Sequence, residues 1–327
     1  MSFLCLITKH REGIFLMQFE QLVKEYLLEL KLGNYSKRTM ETYEQHIDKF
    51  IDFYRKEICK EMDIYAINKI HYKLFISQLL DNSLRATYIN AILKSNRAFY
   101  SYLIREQVLK TSPMDSIKLL KETKQALTTF NDDEVKAMLN VWNFNTYLNA
   151  RNKCIIAVLA DTGIRISELI NIKDSDLTDQ YIRVLGKGDK WRVVPISNEL
   201  NYLLTKYKRL RDNHFNKIRN RNGKVRELDS ELFLGKTGRS IKTITNIEVM
   251  ITQTGLQANV RASVRCSPHQ FRHYWTCKSL ELGQDIFTIS KLLGHTNLST
   301  TQIYLQKLTN EQLISKAVKF SPLKHLK

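Results

Sequence analysis

Residues 267–304 read SPHQFRHYWTCKSLELGQDIFTISKLLGHTNLSTTQIY, a stretch that concentrates His269, Arg272, His295 and Tyr304 in one folding unit. Ser267 suits a helix N-cap and Pro268 the first helical position, so His269 and Arg272 fall three apart in the first turn, on one face. The open backbone N–H groups and positive dipole end of such a helix favour an anion. An imidazole and a guanidinium beside them make phosphate the anion that fits. Gly283 closes the helix, and a shorter amphipathic one follows from Asp285, with Ile286, Ile289, Leu292 and Leu293 on its apolar side. Gly294 ends it and leaves His295 just past the end, with Tyr304 nine residues further on. His269 and His273 have the four-residue spacing of helix-borne metal ligands. No Glu stands between them and no cysteine pair is near, so no metal is expected and His273 reads as a packed core histidine.

Two upstream segments have related chemistry. DTGIRISELI, residues 161–170, follows an apolar helical run, breaks it at Gly163 and restarts a helix with Arg165 near the new N-terminus. That again directs a guanidinium at a helix-end anion site. YIRVLGKGDKWRVVPI, residues 181–196, is two β-rich runs around a glycine-rich turn, read as a hairpin presenting Lys187 at its tip with Lys190 and Arg192 beside it as candidate DNA contacts. A tip lysine is ordinarily only solvated, but here it is one of several cations able to converge with a tyrosine.

In this order and spacing, TGIRISEL, GKGDKWRVVP, SPHQFRH, LGH and STTQIY resemble the tyrosine recombinase family of phage integrases, chromosome-dimer resolvases and transposon recombinases, from about Phe19 to Phe320. The resemblance implies Arg165 and Arg272 as an arginine pair on the phosphate, Lys187 as general acid to the leaving 5′ oxygen, and His269 as proton acceptor for the tyrosine. It further implies His295 as a hydrogen-bond donor and Tyr304 as nucleophile. The family more often has Leu before the second arginine and smaller residues after it; Phe271 and HYWTC (residues 273–277) depart from this in packing only. Implied too are a 3′-phosphotyrosyl DNA intermediate made without metal, ATP or other cofactor, paired sites on double-stranded DNA, and a homotetramer in the synapse formed from monomers or weak oligomers. A product of a bacterial mobile element, working in the cytoplasm and on the nucleoid when DNA-bound, fits this type. The same covalent step serves type IB topoisomerases, and a basic helical chain alone would suit a non-catalytic DNA-binding regulator. The compact N-terminal module and the LGH-to-Tyr304 spacing favour recombinases over the first, and the full set of six polar residues argues against the second.

Composition agrees with a polyanionic partner. The net charge is +18, and 10% aromatic residues exclude a merely disordered basic tail. No apolar run is long enough to span a bilayer, and no basic amphipathic helix with a strong apolar stripe suggests a membrane surface. Five scattered cysteines lack disulfide-framework or metal spacing, as a reducing cytoplasm allows.

The expected fold is mainly α with a small β component (α+β). Residues 1–17 form a poorly ordered leader, 18–110 a helical bundle resembling the family's core-binding, DNA-clamping domain, 111–128 a linker, and 129–327 a larger, mostly helical catalytic domain with one hairpin. In the bundle, Met40, Tyr43, Ile47, Phe50, Ile51 and Tyr54 make one core stripe after a cap at Ser36, and Ile89, Ile92, Leu93, Phe99 and Leu103 another. Lys37 and Arg38 at that helix start are candidate phosphate contacts. Asn131 should cap the helix opening the second domain, and Glu231 to Leu234 reads as a short strand. Residues 206–226, with nine basic residues and one acid, suit a phosphate backbone or a charged loop. Beyond Tyr304, Leu313, Ile314, Ala317 and Val318 predict a short helix that needs a host surface, either its own domain or, as the family resemblance implies, a neighbouring protomer.

Overall fold

The structure, a computed structural model, describes residues 19–122, 128–186, 188–217, 227–295, 301 and 304. The chain divides into two compact units, Met1–Gln125 and Ala126–Lys327. Both are mainly helical, and a two-stranded antiparallel sheet is the one described sheet.

In the first unit, α1 (Phe19–Leu32), α2 (Lys37–Glu57), α3 (Lys69–Asp81) and α4 (Ala86–Arg105) pack as a bundle. Ser36 caps α2 as expected, its hydroxyl accepting the Thr39 N–H at 3.2 Å. The stripe on α4 is fully buried at Ile89, Ile92, Leu93, Phe99 and Leu103, against Phe50, which stacks on Tyr72 at 4.0 Å. Stripes at helical spacing have this outcome because one face removes its apolar area from water. The start of the expected linker is also packed here. Met114 and Ile117 are buried in the bundle core, and Asn90 holds Leu120 by both of its backbone groups, at 3.0 and 2.8 Å.

The second unit is built around α6 (Tyr147–Thr162), flanked by α5 (Asp132–Val141). Cys154 to Leu159 of α6 are all buried, which is why this helix shows no amphipathic period: it is covered on all sides. Asn131 caps α5 with a reciprocal bond to Glu134. A single-turn α7 (Ile166–Leu169) leads to β1 (Tyr181–Leu185) and β2 (Trp191–Pro195), paired from Tyr181 opposite Pro195 to Leu185 opposite Trp191. Then come α8 (Asn198–Lys217), α9 (Thr245–Gln257), α10 (Pro268–Glu281) and α11 (Ile286–Leu293), with α8 and α10 both packed on α6.

The expected strand at Glu231–Leu234 is not a strand but two isolated bridges, Lys173 with Glu231 and Leu234 with Ser240. Leu232, Phe233 and Leu234 are all buried, so the run has no solvent face to alternate with. Its carbonyls accept from tyrosine hydroxyls instead of a strand: Tyr207 on Leu232 at 3.0 Å and Tyr147 on Leu234 at 2.8 Å.

Candidate active site

α6 stops at Gly163 because that residue takes the left-handed conformation, φ 61°, and its N–H caps back to Leu159 at 3.1 Å. A side chain here would be strained twice, since a Cβ would also lie 2.9 Å from the Trp275 ring. The turn delivers Arg165 to the start of α7. The Arg165 N–H donates to Glu168 Oε2 and its Nη1 to Oε1, both at 2.9 Å. From β2, Arg192 forks onto the same carboxylate with Nη1 and Nη2 at 2.9 and 2.7 Å. Burial raises the pKa of Glu168, but the bonds from Arg192 and Arg165 outweigh it, and the net shift is downward.

The guanidinium of Arg272, on the first turns of α10 and 3% exposed, donates to Gly163 O at 3.0 Å and to Leu293 O at 2.7 Å. Arg165 also reaches Leu293 O, at 3.5 Å, and Arg192 Nε donates to Leu292 O at 2.6 Å. Three guanidiniums therefore share the last carbonyls of α11, the negative end of its dipole. Gly294 (φ 66°) closes α11 with His295 N bonded back to Ser290 O at 3.0 Å. That closure sets His295 Nε2 at 2.8 Å from Arg272 Nη2 and Nδ1 at 2.8 Å from Thr301 Oγ1.

Electrostatics define the protonation states. Burial, then Arg165, bring Arg272 down to about 10, so it stays charged at neutral pH. Burial, then Arg272, Arg165 and Arg192, bring His295 down to about 4, so its ring is neutral. Because a guanidinium only donates, Nε2 of that neutral ring accepts and Nδ1–H donates to Thr301. His269 is likewise lowered, by burial first and then by Arg272 and Arg165.

Tyr304 is 5% exposed and packs with Cys277, Leu280, Ile289, Leu293 and Trp275. Burial pushes its phenol up to about 12, against the opposing pull of Arg272. Its Oη lies 2.5 Å from His273 Nδ1, and the His273 ring in turn meets His269 edge-on, centroids 4.3 Å apart.

The family model of the phage integrase family matches residues 128–311, and that of the phage integrase N-terminal SAM-like domain matches residues 23–107. The chain belongs to the phage integrase family, the tyrosine recombinases. The recombinase is 31% identical over 276 residues to tyrosine recombinase XerC of Bacillus pumilus, covering 83% of this chain and 86% of the relative. Tyrosine recombinase XerD of Oceanobacillus iheyensis is 30% identical over 271 residues, 82% and 87% of the two chains. The fold matches that of XerH site-specific recombinase bound to palindromic difH substrate, with TM-score 0.67 at 20% identity over 92% of this chain and 84% of the other. It also matches the Tn1549 transposon integrase in complex with transposon right end DNA, with TM-score 0.69 at 16% identity over 92% and 99%.

In the recombinase the structure thus brings together five residues singled out from the sequence: Arg165, His269, Arg272, His295 and Tyr304. Lys187 and the tail helix beyond Tyr304 lie outside the described residues. Lys190 is exposed beside the hairpin turn, and Lys37 and Arg38 are exposed on the first turn of α2 in the other unit. Arg192, a candidate DNA contact, forks onto Glu168 and donates to Leu292 O. Arg211, within the basic run 206–226, is buried and forks onto Asp174 at 2.9 and 2.5 Å. His273, expected as a packed histidine, holds the tyrosine hydroxyl. Its place one turn from His269 was legible; its partner, 31 residues away, was not.

Proposed function

We propose that this recombinase cuts and rejoins specific paired sites in double-stranded DNA through a 3′-phosphotyrosyl bond to Tyr304. The observation that carries the reading is the convergence of Arg165, Arg272 and His295 on the end of α11, beside a buried Tyr304 whose upward-shifted phenol Arg272 partly opposes. A phosphodiester resists attack because its charge repels nucleophiles and its sugar oxygen leaves poorly. Arg165 and Arg272 neutralise the non-bridging oxygens, and His269, beside the same guanidiniums, adds to that cradle. His295 begins neutral with its lone pair toward Arg272. A phosphate oxygen entering there stabilises the imidazolium, so His295 takes up a proton and donates as charge builds at phosphorus. Lys187 protonates the departing 5′ oxygen, a role supported by its place in GKGDKWRVVP. The covalent link conserves the bond energy, and a second 5′ hydroxyl reseals the strand without ATP.

Synapsis by a homotetramer follows from paired sites and four strand cuts, and a bacterial, cytoplasmic product of a mobile element is the setting that suits it. The test is Tyr304→Phe on a nicked substrate that traps the cleaved state. Binding should persist and covalent complexes disappear; covalent capture by the variant refutes the assignment.

A further inference from the structure

We propose that His273 is the proton acceptor for Tyr304, the role that the family resemblance would give to His269. The inference rests on Tyr304 being the nucleophile. A general base must lie within hydrogen-bond reach of the proton it removes, and should itself be oriented by a third group. His273 Nδ1 lies 2.5 Å from Tyr304 Oη, and the His269 ring packs edge-on against the His273 ring. His269 makes no described hydrogen bond to Tyr304, and the cations that depress it, Arg272 and Arg165, are those of the phosphate cradle. The two histidines, one helical turn apart on α10, thus divide the labour: His269 faces the phosphate and His273 the nucleophile.

The Thr276 hydroxyl, next along this face of α10, donates to Arg272 O at 2.7 Å, so its proton is already committed. The Thr276 hydroxyl also neighbours the Tyr304 phenol; in the proposed role the phenol, protonated at neutral pH, donates to His273 in the tautomer whose Nδ1 carries the lone pair. Among the described residues, the titratable and charged groups around the pair include His269 on the same helix, Cys277 one turn on, Arg272 with Arg165 behind it, and Tyr304 itself. In the attack, the Tyr304 O–H bond breaks as the O–P bond forms. The proton passes to Nδ1, and the P–O5′ bond breaks with the leaving oxygen protonated by the general acid. Resealing reverses each transfer, returning the proton from His273 to Tyr304.

The test is single-turnover cleavage of a nicked, trapping DNA substrate across about pH 6 to 9 by wild type, His273→Asn, His273→Phe, His269→Asn and Tyr304→Phe. Asparagine keeps a hydrogen-bonding atom near the Nδ1 position but takes up no proton. Both His273 variants should bind the DNA as wild type does and cleave about 100-fold more slowly at neutral pH. Their rates should climb roughly tenfold per pH unit as solvent hydroxide replaces the base, whereas His269→Asn keeps the wild-type profile shape. His273→Asn cleaving within about threefold of wild type, with the same profile, overturns the inference while Tyr304→Phe remains uncaptured. Capture of Tyr304→Phe overturns the reading beneath it as well. Wild type supplies a check that needs no variant to fold: its rate must fall as acid protonates Nδ1, and a flat profile through the histidine range refutes a histidine base.

Discussion

Replacing Glu168 with alanine should be among the most damaging single changes in the second unit. The Glu168 side chain is 4% exposed and receives two bonds from Arg192 and one from Arg165, plus the Arg165 backbone N–H. Its loss leaves Arg165, Arg192 and Arg272 facing one another with no carboxylate among them, and the Arg192 side chain is itself only 12% exposed. Removing one partner of a buried pair costs about 3–5 kcal/mol, because the other charge stays buried and uncompensated. For a unit of about 200 residues that is a fall of roughly 6–20 °C in Tm. By contrast, Lys37–Glu41 on α2, with side chains 88% and 51% exposed, should be worth well under about 1 kcal/mol. Thermal and urea unfolding of Glu168→Ala, Arg192→Ala and the double variant provide the measurement. The double variant should be less damaged than the two single losses added together, by at least about 1 kcal/mol. Additive losses, or a Glu168→Ala loss as small as that of the surface pair, would refute the picture of a buried carboxylate holding opposed cations.

Other expectations follow from the same geometry. Arg272→Ala or Arg165→Ala should lower single-turnover cleavage by about 10²–10³-fold or more with much smaller losses in DNA affinity, and Lys should not restore either fully; near-normal cleavage would make that arginine structural. For pH, the folded pKa of His295 lies below its unfolded value, so the stability tied to its neutral form is complete above about 6.5 and lost as pH falls toward about 4. His269 and the buried His46 of the first unit, both lowered, act in the same direction. Urea midpoints should thus drop between about pH 7 and 5, and less so in His295→Gln. DNA binding near pH 6.5 should be accompanied by proton uptake that His295→Gln reduces, measurable as buffer-dependent binding heat. Gly163→Ala should destabilise by about 1–3 kcal/mol, combining a left-handed φ with a clash on Trp275, seen as a lowered unfolding midpoint.

What could be read directly from the sequence was local. Ser36, Asn131 and Asp285 cap helices with bonds to residues three positions on, and Gly163 and Gly294 end helices in the left-handed region; these are short-range rules written in adjacent letters. The residues gathered at the site were legible through ordered motifs. The charge of Arg192 says only that it wants an anion, and its ion pair with Glu168, 24 residues away, is not written in the neighbouring letters. Nothing beside Glu168 inside TGIRISEL marks it as buried, because Arg192, which forks onto it, is 24 residues away. The run at residues 231–234 was misjudged because three consecutive buried apolar residues carry no period to distinguish strand from core-threading loop.

The acceptors that aim three arginines are the carbonyl oxygens of Leu292 and Leu293, atoms that no side-chain replacement deletes. An alanine scan would score both positions by their leucine packing and pass over their electrostatic part. What would expose it is a change in the backbone: an amide-to-ester exchange that weakens one carbonyl, or a one-residue insertion in α11 that rotates its end by about 100°. Drift at the surface of α11 can therefore be free while its length and its closing glycine are not.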